Sequence, residues 1–455
     1  MIRFSKYKKE YYQQVCDFLI RINEENKLHS NWIWARFEWM HEHPLTKKEL
    51  LDYMGLWFDD DELVGAALID MFFGEAFVGT SKAYKSLYPE ILRYAFDNLK
   101  DDQGLGITIN DLDKEEIEEA LRQGFFKTEA EETVLRIDLE EAFAIDLPKG
   151  FTAETFDAEN NQEEMSWLFW QGFDHGEDKE EFLKDFKEAE SKRPHFNKYL
   201  CIMIRDENGE AVATSSTWYD ERTDYAYVEP VCVIPRCRKK GLGKAAVCLS
   251  LNHAKELGAK NAIVISDQDF YKRLGFKEAE HYSFYWKKEE RVVNGVIYKL
   301  ERLLGKGKGG YSYLAKANGK EYVLKQIHHE PCDYYKFGNK IEAEKADYQK
   351  LRDACIRIPK MIDIDLEREI IIKEYIEGEV ISNMIEEGKS VDEYIPQLQE
   401  MATLAKAKGL NIDYYPTNFV LKNGLLYYID YECNEYMDEW NLENWGMKYW
   451  QGKST

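Results

Sequence analysis

The sequence predicts an α/β (α+β) fold made of mixed sheets, with two similar units followed by a smaller, two-lobed third unit. Three observations predict this class. A β-rich run breaks into a glycine turn and a helix near residue 240, the N-terminal third repeats the same strand and helix signals, and the composition changes after Lys288. The length of 455 residues also favours about three domains.

The most specific local signal lies between Val231 and Val247, where Arg238-x-x-Gly241-x-Gly243 follows a strand and opens a helix. Glycines remove the side chains that would keep backbone N–H groups from facing one anion, and the helix dipole adds favourable partial charge there. The pattern predicts a pyrophosphate-binding turn, although Gly-x-Gly alone is common in ordinary strand-to-helix loops. Pro230 cannot donate to a β-ladder, so we expect a bulge or an edge at that residue.

A second strand at 261–266 is followed by Phe270-Tyr271-Lys-Arg-Leu-Gly275-Phe276. Together with the glycine turn, this order resembles the GNAT family of acetyl-CoA-dependent N-acetyltransferases. The resemblance implies that acetyl-CoA binds with its pyrophosphate on the turn and its pantetheine arm along the preceding strand. The cofactor-binding residues it implies are Val231, Val233, Arg238, Lys239, Lys240, Gly241, Leu242, Gly243 and Lys244.

Acetyl transfer to an amine needs a base that accepts a proton from the amine and an acid that serves the departing thiolate. By its place in the motif, Tyr271 matches the general acid of the family. Glu229, at the start of the expected bulge, is the nearest carboxylate and the candidate base. The alternatives are a packed aromatic ring for Tyr271 and a surface charge for Glu229.

The charge and the residue composition indicate which classes of partner and which cellular location to expect. The net charge of −24, from 61 basic and 85 acidic residues, argues against nucleic acid and favours a cationic acceptor, either a small molecule or a peptide amine. No apolar stretch is long enough to span a bilayer, and the first ten residues lack the apolar run of a signal peptide, so we expect a cytoplasmic protein without a membrane partner. The eight cysteines have no Cys-x-x-Cys spacing and no nearby histidine pattern, and we interpret them as reduced thiols.

The N-terminal third carries a weaker copy of the second unit. The strand-turn-strand pattern at 51–71 matches that at 199–218, and Ala120-Leu-Arg-Gln-Gly124-Phe125 matches Tyr271 to Phe276. No glycine turn precedes the helix predicted at 82–99, and Ala120 stands in the place of Tyr271. The sequence therefore predicts a degenerate GNAT-like domain at 1–140 and an active one at 145–288. This arrangement resembles the mycothiol-synthase-like branch of the family.

The third unit, at 290–455, has different motifs. Leu304-Gly305-Lys-Gly307-Lys-Gly-Gly310 predicts a glycine-rich loop over phosphates, and Lys325 and Glu344 follow in a predicted strand and helix. A lysine held by a glutamate is suited to the α- and β-phosphates of a nucleotide. Asp413-x-x-Pro-x-Asn418 and Ile-Asp430-Tyr-Glu come next, and the whole order resembles aminoglycoside and choline kinases.

The resemblance implies an ATP site in this unit. Its ATP-binding residues would be Gly305, Gly307, Gly310, Lys325 and Glu344. Asp413 would act as a base or orient the acceptor hydroxyl, and Asn418 and Asp430 would hold Mg²⁺. Asn411 stands where the family has histidine, so catalysis and nucleotide binding without catalysis both stay open.

These observations predict an acetyl-CoA-dependent N-acetyltransferase that acts on a primary amine, with ATP-dependent phosphotransfer as a second activity of the kinase-like domain. The alternative is a regulatory module with a pseudokinase at its C-terminal end, which binds acetyl-CoA and nucleotide without turnover.

Overall fold

The computed structural model describes residues 1–43, 46–188, 192–330 and 338–450. Contacts divide the chain into two compact units, Met1–Lys287 and Lys288–Thr455. Each unit is described by itself.

The first half of the first unit alternates strands and helices. In chain order its elements are β1 (Ile2–Lys6), α1 (Tyr12–Asn26), α2 (Trp34–His41), α3 (Lys48–Leu51), β2 (Gly55–Asp59), β3 (Glu62–Ile69), β4 (Ala76–Thr80), α4 (Tyr88–Leu99), β5 (Gly104–Asn110), α5 (Lys114–Arg122) and β6 (Phe126–Asp138). The helix predicted at 82–99 starts later than expected, because a 3₁₀ turn over Lys82–Leu87 precedes α4.

The second half of this unit follows the same order of elements, as the internal repeat predicts, except that two α-helices and not three are described between its first two strands. Its elements are β7 (Thr152–Thr155), α6 (Gln162–Gly172), α7 (Lys179–Asp185), β8 (Cys201–Arg205), β9 (Ala211–Tyr219), β10 (Tyr225–Val233), α8 (Leu242–Leu257), β11 (Asn261–Ile265), α9 (Asp269–Leu274) and β12 (Lys277–Lys288).

The two halves exchange their last strands. One sheet has the order β1-β2-β3-β4, and the other has the order β5-β12-β6-β11-β10-β9-β8-β7. β6 comes from the first half but pairs antiparallel with β11 of the second half. β12 comes from the second half and lies between β5 and β6. Each half therefore completes the sheet of the other.

The central strands are apolar because both of their faces are buried. Every residue of β3 after Glu62 is buried, and α1 and α4 both contact this strand. A nearly continuous apolar run is expected of a strand that is covered on both faces. The helix α8 is buried along one side over β8, β9 and β10, so the strand and the turn that precede it rest on a packed core.

The second unit begins with a six-stranded sheet and continues with short helices and strands. Its elements are β13 (Glu290–Val293), β14 (Val296–Lys306), β15 (Gly310–Ala317), β16 (Lys320–Ile327), α10 (Lys340–Asp353), β17 (Met361–Asp365), β18 (Ile370–Glu374), β19 (Glu379–Val380), α11 (Ile381–Glu386), α12 (Ile395–Ala407), β20 (Leu410–Ile412), β21 (Phe419–Lys422), β22 (Leu425–Tyr428), β23 (Cys433–Glu435) and α13 (Met447–Trp450).

This unit has two hydrophobic cores. The antiparallel sheet β13-β14-β15-β16-β18-β17 has its own cluster of buried side chains. A second cluster joins α10, α11, α12 and the short sheets β19-β21-β22 and β20-β23. Within the part of the chain that the structure describes, no helix is long and apolar enough to cross a membrane.

Candidate functional site

The glycine turn of the second half connects β10 to α8. A 3₁₀ turn over Pro235–Cys237 leads into it, and Lys239 and Gly241 have φ angles of 62° and 85°. The first helical hydrogen bond runs from the N–H of Ala245 to the carbonyl of Gly241, at 3.0 Å. The N–H groups at the start of α8 precede that bond, and such groups have no partner within a helix. A helix start of this kind is the geometry that the predicted anion-binding turn requires.

The two glycines of the turn serve different needs. A Cβ on Gly243 would lie 3.3 Å from Val233 and 3.4 Å from Phe270, so a side chain here would crowd both residues. Gly241 has open space around it but a left-handed backbone conformation that most residues avoid. The surface of the turn therefore stays free of side chains next to β10.

Basic side chains surround the turn. Lys239, Lys240 and Lys244 are exposed, whereas Leu242 is buried beneath them. Arg238 is held by protein contacts, because its guanidinium donates to the carbonyls of Gly172 at 2.8 Å and Val233 at 3.1 Å and pairs with a carboxylate at 2.9 Å. That carboxylate belongs to Asp174, so Arg238 connects the turn to the end of α6.

The sheet opens beside this turn. β10 pairs with the parallel strand β11 only over Tyr225–Tyr227. Its register with β9 shifts between Val228 and Val231, which confirms the bulge expected at Pro230. Val231 and Val233 follow the bulge and are half-buried. The β11 side of this stretch is open to an extended ligand with amide groups.

Glu229 lies where β10 leaves β11. Burial raises the pKa of its carboxyl to about 7, and the positive charge of Arg36 partly offsets this effect. A carboxyl with this pKa exists in both protonation states near neutral pH, as a general base requires.

Tyr271 lies in α9 and is buried between Phe270 and Phe276, with ring centroids 5.0 and 5.7 Å away. Burial raises the pKa of its phenol, and the charge of Glu229 raises it further. The phenol therefore keeps its proton at neutral pH, and it lies within electrostatic reach of Glu229. The structure brings these two candidate residues to one place.

The first half lacks this chemistry. Ala120 occupies α5 and is fully buried. β4 and β5 also separate, with a single bridge between Glu75 and Gly106.

A cavity of about 250 Å³ adjoins the place where β4 and β5 separate. Its lining includes Trp32, Arg36, Asp70, Glu75, Glu132 and Phe284. Arg36 pairs with Asp70 at 3.0 Å and with Glu132 at 2.9 Å, and its guanidinium lies 5.0 Å from the centre of a Trp32 ring. Carboxylates outnumber the guanidinium, so the cavity is acidic. Arg36 connects it electrostatically to Glu229.

The second unit holds a separate charged cluster. Lys325 on β16 forms ion pairs with Glu344 on α10 and, at 3.6 Å, with Asp430. Burial opposes ionisation of Asp430, yet the charges of Lys325 and Lys373 hold the pKa of its carboxyl below the usual value. The cluster joins the sheet, α10 and the segment after β22.

Of the loop between β14 and β15, Gly309 lies closest to this cluster. A Cβ on Gly309 would lie 3.2 Å from a Glu344 carboxylate oxygen and 3.6 Å from the Lys325 amine. Gly310 begins β15 and faces the backbone of β16, whereas Gly307 bonds back to Gly310 at 3.0 Å. Gly305 lies in β14 with open space beside it. Gly309, the glycine of this loop that lies nearest the cluster, was not among the ATP-binding residues that the sequence predicted.

Asp413 follows β20, and Asn418 ends the 3₁₀ turn at Pro416–Asn418. Burial raises the pKa of Asp413, whereas a hydrogen bond from the Asn418 side chain lowers it in part. The charge of Asp430 also acts on Asp413. Asn411, where the kinases have histidine, is buried, and its amide donates to the Met437 carbonyl at 2.8 Å. Asp413 is therefore within electrostatic reach of Asp430 in the charged cluster, and Asn418 interacts with Asp413.

Sequence analysis also missed Lys373 on β18. Its amine is buried, lies 4.3 Å from the centre of the Tyr431 ring and donates to the Ile429 carbonyl at 3.3 Å. Burial lowers its pKa to about 8, with a further contribution from the charge of Lys325. A lysine within the apolar run Ile370-Ile-Ile-Lys373 is the one signal that the sequence offered.

A turn for an anion, an open strand edge and a buried acid and base are the parts that an acyltransferase using a phosphate-bearing thioester requires. Residues 162–276, which contain all of them, match the model of the Acetyltransferase (GNAT) family. The chain therefore carries a GNAT N-acetyltransferase domain, and the acyl donor of this family is acetyl-CoA.

Other known proteins are similar over shorter stretches or at low identity. A probable bifunctional tRNA threonylcarbamoyladenosine biosynthesis protein of Methanococcus vannielii is 32% identical over 93 residues, which are 19% of this chain and 16% of that relative. The match thus spans about a sixth of the relative's length.

Two solved structures are similar to this chain at low sequence identity. A GCN5-related N-acetyltransferase from Sphaerobacter thermophilus has 14% identity and a TM-score of 0.41, covering 63% of this chain and 95% of that one. A tandem GNAT protein from the clavulanic acid biosynthesis pathway has 13% identity and a TM-score of 0.45, covering 63% and 98%.

Proposed function

We propose that the second half of the first unit transfers an acetyl group from acetyl-CoA to a primary amine, with Glu229 as general base and Tyr271 as general acid. The observation that carries this proposal is the juxtaposition of a carboxyl whose pKa is about 7 with a buried neutral phenol. Glu229 follows the last residue of β10 that pairs with β11, and its charge acts on Tyr271 in α9. The charge of Arg36, which lines the acidic cavity, acts on Glu229.

The donor would lie along β10. Its pyrophosphate would accept from the N–H groups of Gly241, Leu242, Gly243 and Lys244, and the exposed lysines would balance its charge. The backbone of Val231 and Val233 would pair with the amides of the pantetheine arm. The fit rests on the side-chain-free surface at Gly241 and Gly243 and on the open side of β10.

The proton transfers then follow. The amine nitrogen attacks the thioester carbonyl carbon, and the proton that it loses passes to the Glu229 carboxylate. As the carbon–sulfur bond breaks, the thiolate takes the phenolic proton of Tyr271. The proton on Glu229 can return to the phenolate directly or through water, which restores both residues.

We infer a cationic acceptor. The cavity beside Arg36 combines carboxylates with the aromatic rings of Trp32 and Phe284, and such a lining favours an ammonium group. The net charge of −24 would also attract a cation.

The test is an acceptor screen with acetyl-CoA in which release of the free thiol is measured. Polyamines, aminoglycosides and peptides with a free amine form one panel, and their N-acetylated or hydroxyl counterparts form the matched control. We expect thiol release with amines alone, dependent on Glu229. Release that is equal in the control panel would contradict amine acetylation.

We propose a second role for the second unit, which is binding of Mg-ATP. Lys325, Glu344 and Asp430 form the ion-pair cluster that a triphosphate and its metal require, and Gly309 leaves room beside it. Asp413 would orient an acceptor hydroxyl if the unit transfers phosphate. If it does not, nucleotide binding would regulate acetyl transfer.

The Methanococcus relative is named for tRNA threonylcarbamoyladenosine biosynthesis. A chain with this net negative charge is poorly suited to binding the phosphate backbone of tRNA, so the proposed acceptor is not tRNA.

Calorimetry with ATP, with and without Mg²⁺, tests the proposal that the second unit binds nucleotide. Repeating the acetyl-CoA titration with ATP present distinguishes regulation from an independent kinase.

A further inference from the structure

A cluster of metal-ligating side chains lies within the first unit, apart from the glycine turn. Cys16 on α1, Glu38 on α2 and His195 each offer one ligand atom, and these atoms all lie within 4.8 Å of one another. His195 belongs to the segment between α7 and β8, and it is separated from Glu38 by 157 positions. The cluster therefore joins helices of the first half to a loop of the second half.

Glu38 and His195 contact each other directly. One carboxylate oxygen of Glu38 accepts from the backbone N–H of His195 at 2.8 Å, and the other lies 2.5 Å from its Nδ1 atom. The Glu38 side chain is fully buried, whereas that of His195 is 23% exposed. Solvent therefore reaches the cluster from the His195 side, which gives an ion a way in.

Tyr12 supplies an independent observation. Its hydroxyl is buried and has no hydrogen-bond partner among the described residues. Only 8% of the residue is exposed. The hydroxyl lies close enough to the Cys16 and Glu38 side chains to interact electrostatically with both. Its ring lies nearly parallel to that of His195, at 6.5 Å. A buried hydroxyl without a partner is costly unless a ligand or water completes its hydrogen bonding.

We propose that Cys16, Glu38 and His195 bind one divalent transition-metal ion, of which Zn²⁺ is the best fit to the ligand set. Thiolate, imidazole and carboxylate are the ligands that zinc uses in proteins, at about 2.0–2.3 Å. Three protein ligands leave a fourth position for water, and the Tyr12 hydroxyl would bond to that water. The thiol of Cys16 releases its proton to solvent when it coordinates the ion.

The geometry requires small movements. Ligand bonds of about 2 Å in a tetrahedron place the donor atoms about 3.3 Å apart, so Glu38 and His195 would separate slightly and Cys16 would move closer. Glu38 and His195, which contact each other in the metal-free protein, would then both bind the same ion. The bound ion would then connect α1 and α2 to the loop that carries His195.

The experiment uses the full chain, freed of metal with a chelator and titrated with Co²⁺ as a spectroscopic probe. We expect one Co²⁺ per chain, a thiolate-to-cobalt charge-transfer band in the near ultraviolet, and displacement by Zn²⁺. Cys16→Ala should remove the band, and His195→Gln should weaken Co²⁺ binding at least tenfold. Cys355→Ala is the matched control, since Cys355 is an exposed thiol of the other unit, and it should leave the band unchanged.

Fold integrity is checked separately. Thermal unfolding of the metal-free variants should resemble that of the metal-free native chain, and added Zn²⁺ should raise the Tm of the native chain and of Cys355→Ala alone. If Cys16→Ala does not fold, His195→Gln provides the same test from the exposed side of the cluster. Absence of the cobalt band in the native chain would overturn the proposal. So would a band that persists in His195→Gln with unchanged affinity, because another set of ligands would then hold the ion. None of these measurements depends on acetyl transfer.

Discussion

Glu229 and Tyr271 owe their proposed roles to their surroundings. A glutamate at the surface would be ionised throughout the physiological range and would be a weak base, whereas burial brings the Glu229 pKa to about 7. A phenol is protonated at neutral pH in any surroundings, and burial together with the Glu229 charge raises the pKa of Tyr271 further. Burial thus leaves Glu229 able to accept a proton near neutral pH, while Tyr271 retains the proton that it would donate.

Acetyl transfer should depend on pH through Glu229. The carboxylate form is the active base, so kcat/KM should rise with pH and level off above about pH 7, with a tenfold loss per unit below it. Glu229→Gln should lower kcat/KM by about 10²–10⁴ and remove this limb of the profile. An unchanged profile in Glu229→Gln would exclude this residue as the base.

The second prediction at this scale concerns Tyr271. Tyr271→Phe retains the ring but removes the proton, so kcat should fall by about 10²–10⁴ while acetyl-CoA affinity stays nearly constant. Ala120→Tyr places the same side chain at the matching position of the first half and should add no activity, because that half lacks the glycine turn. Equal turnover in native protein and Tyr271→Phe would make Tyr271 a packing residue.

At the scale of elements, the glycine turn depends on local backbone geometry. Gly241→Asp puts a negative side chain at the proposed pyrophosphate site, so we expect loss of the Tm increase that acetyl-CoA produces. At a hundred times the dissociation constant this stabilisation is about 2.7 kcal/mol. Gly209→Asp is the matched control, because Gly209 has a similar φ angle of 81° and equally open surroundings. Loss of the shift in both variants would point to a general defect and away from the turn.

The strand exchange leads to a prediction about folding. Residues 1–140 alone contain β5 and β6 but neither β12 nor β11, so β5 would have an open edge and β6 would lack its partners. We expect this fragment to aggregate or stay unfolded, and residues 1–288 to fold with one cooperative transition. Calorimetry and dispersion of amide NMR signals measure both. A well-folded fragment of residues 1–140 would show that the exchange is dispensable.

Local motifs were predictable, and the long-range arrangement was not. The turn at Gly241, the bulge at Pro230 and the repeated order of elements follow from neighbouring residues. The pairing of β6 with β11 depends on strands that are far apart in the chain, and no residue of β6 indicates its partner. The same limit hid the cluster of Cys16 and His195, since spacing along the chain gave no reason to join them. Lys373 was missed because one lysine in an apolar strand has no motif around it.

At the scale of the whole molecule, the open question is whether the second unit catalyses a reaction. Asp430→Asn should abolish Mg-dependent ATP binding, because Asp430 is the proposed metal ligand beside Lys325. Asp413→Asn should spare ATP binding and remove phosphate transfer, since a residue that orients the acceptor hydroxyl adds little to nucleotide affinity. Calorimetry and release of ADP measure these effects. ATP turnover that survives Asp413→Asn would exclude the assigned loop.

The strand exchange also has a consequence for synthesis of the chain. β6 ends at Asp138 and β12 at Lys288, so β6 is synthesised about 150 residues before β12 is complete, which at 5–20 residues per second is a delay of roughly 7–30 s. During that time the nascent first half has no partner for β5, and its exposed edge is a target for aggregation. A chaperone that binds β-strand edges, or a pause in translation that lets the first sheet form, would therefore affect the yield of this protein more than that of a chain with two self-contained halves.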